Sequence, residues 1–80
     1  MATVAGDGID KLCRRIESAD AAGILDSLTS LTQVDRCEVL MRLYRRGRMT
    51  PETLAHVERV FSEIEGEWEL KRWRANAGVS

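Results

Sequence analysis

The sequence predicts an all-α fold: a compact antiparallel bundle of about five helices. Three observations carry this. Apolar residues recur at helical spacing from Ile9 to Trp73, and no segment alternates like a strand. The stretch Arg45-Arg46-Gly47-Arg48-Met49-Thr50-Pro51-Glu52 punctuates a helical hairpin: a glycine stop, a threonine cap, and a proline at the first helical position. Hydrophobic content of 44% with 31% charged residues suits a folded chain rather than a disordered one. Residues 8–75 are read as a single helical domain between short flexible tails, 1–7 and 76–80.

The first helix is expected from about Gly8 to Glu17, because Ile9, Leu12, Cys13 and Ile16 share one face. Ser18 or Asp20 then caps a second helix with Ile24, Leu25, Leu28 and Leu31 as its stripe. Gly23 weakens that helix by roughly 1 kcal/mol relative to alanine, and marks either a tight crossing or a short, poor helix. Thr32-Gln33-Val34-Asp35 opens a third helix, which runs to Arg46. Val34, Cys37, Leu40, Met41 and Tyr44 lie on one side of it, with Val39 and Leu43 nearly opposite. A helix apolar on two sides belongs in the middle of the core. The fourth helix starts at Pro51 and buries Leu54, Val57, Val60, Phe61 and Ile64. A break near Gly66 then separates it from a short fifth helix, Glu67 to about Ala75. Of the two tryptophans, Trp68 is assigned to the core, and Trp73 is read as either core or interface anchor.

The chain has 80 residues and a net charge of −1, which argues against a general polyanion binder. The charge is unevenly placed: −2 over residues 1–31, +3 over 32–50 and −2 over 51–80. The basic cluster Arg42, Arg45, Arg46 and Arg48 suits the C-terminal end of a helix, and also an acidic protein partner or nucleic-acid phosphates. The acidic run Glu63, Glu65, Glu67 and Glu69 is a candidate counterpart on a neighbouring copy. Patches of opposite sign at different places on one molecule make a head-to-tail contact. Trp73 joins the candidate interface as an aromatic anchor.

No cofactor or metal is expected. His56 is the only histidine, and neither CxxC nor HExxH occurs. Cys13 and Cys37 lie far apart on apolar faces and are read as small hydrophobes in a reducing, cytoplasmic setting. Met1–Gly8 lacks a basic stretch followed by an apolar core, so a secretory signal is not expected. No run approaches the ~18–20 apolar residues that span a bilayer. No nucleophile, acid–base pair or metal set is legible, so no enzyme activity is expected.

Residues Val39 to Trp73 resemble the C-terminal half of death effector domains, a branch of the death-fold superfamily. The matching features are Leu40, Leu43 and Tyr44, then Gly47-Arg48-Met49-Thr50-Pro51-Glu52-Thr53-Leu54, then Val57, Val60, Phe61 and Ile64, and finally Glu69-Leu70. The resemblance implies a six-helix or truncated five-helix bundle that binds its own kind as an adaptor. The family's charged surface triad does not carry over, because Glu67 stands where its arginine would be. Residues 8–31 also hold two helices where the family packs three.

The expected function is therefore a non-enzymatic protein–protein interaction module that binds a protein partner or itself, with no membrane partner. One alternative is a small nucleic-acid-binding regulator using Arg42–Arg48 and Lys71-Arg72-Trp73-Arg74, where the aromatic could stack on a base. Glu52, Glu58 and Glu63 against a lone Arg59 on the fourth helix disfavour duplex reading. A second alternative is an inhibitor that occupies a larger protein's surface.

Overall fold

In the computed structural model, residues 6–79 are described, and they form an all-α bundle. The helices are α1 (Gly6–Glu17), α2 (Ala21–Thr29), α3 (Gln33–Arg46), α4 (Pro51–Glu65) and α5 (Glu67–Asn76). Most of the expected first tail lies outside the described residues. At the other end, residues 76–79 close α5 rather than trail from it. Gly78 takes φ 76°, its amide donates to Ala75 O, and the Val79 amide donates to Arg74 O. This pattern satisfies two carbonyls that a helix end would otherwise leave bare.

Side-chain caps set three helix starts. Asp20 accepts from the Gly23 amide at 2.8 Å, Thr32 from the Asp35 amide at 3.3 Å, and Thr50 from the Thr53 amide at 3.2 Å. A Cβ on Gly23 would meet Ala19 Cβ at 3.2 Å and Asp20 Oδ1 at 3.3 Å. That glycine therefore makes room for its own cap, not for a crossing helix. Gly47 closes α3 in the left-handed conformation at φ 60°, and Met49 packs back on the core.

The core joins one stripe from each of the first four helices. Ile9, Cys13 and Ile16 come from α1, Ile24 and Leu28 from α2, Cys37, Val39, Leu40 and Leu43 from α3, and Val57, Val60 and Phe61 from α4. Helix α3 packs on α1, α4 and α5, and α4 packs on α2, α3 and α5, so these two helices share the centre. Leu70 and Trp73 lay α5 against this core.

Four apolar residues assigned to buried faces are exposed: Leu25, Val34, Ile64 and Trp68, with Val34 and Trp68 each at 71%. Helix α2 buries only its Ile24–Leu28 stripe, and Leu25 sits about 100° away from it. Trp68 is exposed rather than buried because of Gly66. Its φ of 99° and ψ of 154° end α4 and restart the helical frame. The new frame turns Leu70 and Trp73 inward and Trp68 outward.

Arg36 is the one buried arginine among the described residues. Its Nε donates to Leu28 O at 2.9 Å and its Nη2 to Leu31 O at 2.6 Å. Its Nη1 pairs with Glu65 at the end of α4. The guanidinium thus satisfies carbonyls at the end of α2 and in the turn that follows, and ties three helices together.

Arg36→Ala leaves Glu65 without its cation, and is expected to cost about 3 kcal/mol or more in urea unfolding, whereas exposed Arg45→Ala stays within about 0.5 kcal/mol. Gly66→Ala is expected to cost about 1–3 kcal/mol by the same measurement, through backbone strain alone, since nothing lies within 4 Å of the added Cβ.

Candidate functional surfaces

The basic cluster divides in two. Arg42 pairs with Asp10 of α1 at 3.0 Å and with Glu38, one turn earlier, at 3.4 Å. Arg46 grips Glu17 of α1 with two hydrogen bonds, at 2.7 and 2.8 Å. Those two arginines hold α1 onto α3. Arg45 and Arg48 are exposed and enter no ion pair among the described residues.

The acidic run divides likewise. Glu65 is held by Arg36, and Glu69 by Arg72 at 3.2 Å and by the Trp73 indole N–H at 3.1 Å. Glu63 and Glu67 are exposed and unpaired among the described residues. The predicted arginines and the predicted glutamates do not pair with one another in any of these contacts.

Position explains this. The Glu17 carboxylate is held below the usual glutamate range, first by its hydrogen bonds from Arg46, and further by the nearby charges of Arg48 and Arg14. So the ends of α1 and α3 meet in a basic corner. Arg14 belongs to it, although sequence spacing gave no sign of that. Near the start of α3, burial raises the Cys37 thiol above its usual value, and the charges of Glu65 and Glu69 raise it further. Glu65 and Glu69 therefore lie toward the opposite end of α3, whereas Glu63 and Glu67 line a second pocket between α4 and α5 together with Arg59, Lys71 and Arg74. Fourteen helical residues separate the two ends by about 20 Å. That exceeds the ~8 Å screening length at physiological salt, so the two ends act as separate fields.

Between α3 and α5 runs an open groove of ≈ 450 Å³. Its apolar surface comes from Val34, Cys37, Met41 and Trp73, and Arg45 and Arg72 stand on its rim. Glu38 and Glu69 also line it, but both are engaged by arginines of this chain. The groove is thus apolar inside, with Arg45 as its unpaired charge. Trp68 lies outside the lining, one helical turn before Arg72 on the same stripe of α5.

Trp73 is partly buried, and its ring carries Arg72 at 5.7 Å from the centroid. Its indole N–H and its neighbouring cation are therefore both occupied, and Trp68 is the aromatic free to meet another molecule. Arg74 pairs with Glu58, which also accepts from the Tyr44 hydroxyl at 2.5 Å. Burial, then the Glu58 hydrogen bond, pushes the Tyr44 hydroxyl above its ordinary range. This triad fastens α5 to α3 and α4.

Both cysteines are buried free thiols, and burial pushes Cys13 up to about 11. A thiol so disposed is a poor nucleophile. No three His, Cys, Asp or Glu side chains converge as a metal site among the described residues, and no helix there is long and apolar enough to cross a membrane. No family model, no curated protein and no solved structure matches this chain.

Because the folded-state pKa of Glu17 is depressed, its pairing with Arg46 contributes stability that is present above the ordinary glutamate value and lost as pH falls from there through the lowered folded-state value. Glu17→Gln is expected to flatten the acid limb of the stability–pH curve between about pH 5 and pH 2, measured by urea unfolding at each pH.

Proposed function

We infer that this chain is a non-enzymatic protein-interaction module, an adaptor or assembly domain that docks through oppositely charged ends. The observation that supports it is the charge within the two candidate patches that enters no ion pair among the described residues: Arg45 and Arg48 at the finish of α3, and Glu63 and Glu67 on either side of the α4–α5 break. A positive corner on one copy and an acidic end on another make a heterologous contact, which closes into a ring or extends as a filament. The death effector-like pattern of Val39–Trp73 implies the same homotypic, adaptor form of binding. Nucleic acid is the weaker reading, because Arg42, Arg46, Arg72 and Arg74 each hold an acid of this chain. The exposed indole of Trp68 favours one other protein-binding form, a monomer that caps a larger partner's surface.

The test uses Arg45→Glu with Arg48→Glu. Arg46 is left alone, since reversing it would break the Glu17 pair and disturb the fold. Light scattering of the wild-type chain is expected to give a mass that falls toward monomer as salt rises, and the double variant is expected to stay near monomer at low salt. Wild-type association indifferent to both salt and the two reversals would overturn the electrostatic contact. Steep salt-dependent binding to duplex or single-stranded probes would select the nucleic-acid reading instead.

A further inference from the structure

We propose that the α3–α5 groove of one copy receives the Trp68 indole of a second copy. This rests on the self-associating form of the function above and supplies it with an apolar anchor. Two separate observations meet in it. A groove of ≈ 450 Å³ stands open beside Val34, which is 71% exposed. Elsewhere on the same molecule, an indole equally exposed has no cover. A cavity of that size falls within the ~300–1,000 Å³ range of sites that enclose small organic groups.

Charge selects a second copy as the occupant. Trp68 follows Glu67, which is exposed and unpaired among the described residues, and the groove's unpaired rim charge is Arg45. Seating the indole would bring an acid of one copy to a cation of the other. Knob and groove are both uncovered, Glu67 and Arg45 are opposite in sign, and all are present on every copy. The Gly66 break produces the knob: it turns Trp68 outward while Trp73 closes the groove from within.

The contact is a weak one. One docked aromatic buries roughly 150–250 Å² of its own surface, against the ~1,200–2,000 Å² of a standard stable interface. Association is therefore expected toward the high end of accessible concentrations.

The whole 80-residue chain is followed by sedimentation velocity up to about 1 mM, the range in which contacts of this size are populated. Two variants lie at exposed positions and spare the core. Trp68→Ala removes the knob, and Val34→Glu places a charge in the groove near the start of α3, where a helix tolerates an acid. Each variant alone is expected to weaken self-association more than about tenfold. Mixed, they are expected to recover a 1:1 complex, because one still carries the groove and the other still carries the indole. Wild type that stays monomeric, Trp68→Ala that associates like wild type, or a mixture that stays monomeric each overturns the proposal. Association that salt abolishes but neither variant affects removes the Trp68 contact and keeps the charged ends. Association that both variants abolish but salt leaves intact does the reverse.

Discussion

The buried guanidinium of Arg36 is the constraint on which the rest of this small bundle depends. It collects Leu28 O from the end of α2, Leu31 O from the turn that follows, and the carboxylate of Glu65 from the end of α4. A charge in that position is tolerable only when its donors are satisfied, and here the acceptors come from two other helices. Their ends are thereby held at the start of α3. The Gly66 break follows directly on Glu65, so the direction in which α5 leaves the bundle, and the side on which Trp68 emerges, are set beside this clamp.

Other charged side chains are used in the same way. Arg42 and Arg46 fasten α1, Arg74 with Tyr44 fastens α5, and Arg72 with Trp73 orients Glu69. A domain of this size buries little apolar surface, so such ties between helices matter more than they would in a larger protein. Exposed pairs contribute little individually. What they do is remove charge from the surface selectively. Within the two candidate patches, Arg45 and Arg48 stay unpaired at the finish of α3 and Glu63 and Glu67 beside the α4–α5 break, among the described residues, and an apolar groove runs between α3 and α5.

The helix boundaries and most of the core were legible because they depend on neighbours in sequence. Gly47, Thr50 and Pro51 act within one turn, as do Asp20 and Thr32, and the Ile9–Ile16 stripe needs only the helical period. The core reading of Trp68 fails because a single dihedral pair at Gly66 decides which tryptophan faces inward, and periodicity does not supply it. Arg36 went unnoticed because its carboxylate partner lies 29 residues away and appears only when α2, α3 and α4 meet. The division of the basic cluster has the same cause. Arg42 and Arg46 point toward α1 and Arg45 does not, which follows from the crossing of two helices and not from the run of arginines itself.

Of the surface features, the outward indole and the open groove are joined by one distance between copies. The most direct measurement is an isotope-filtered NOE experiment on an equal mixture of labelled and unlabelled chain. Cross-peaks are expected between the Trp68 ring protons of one copy and the Val34 and Met41 methyl groups of another. Their absence in a sample that is demonstrably associated would contradict the Trp68 contact.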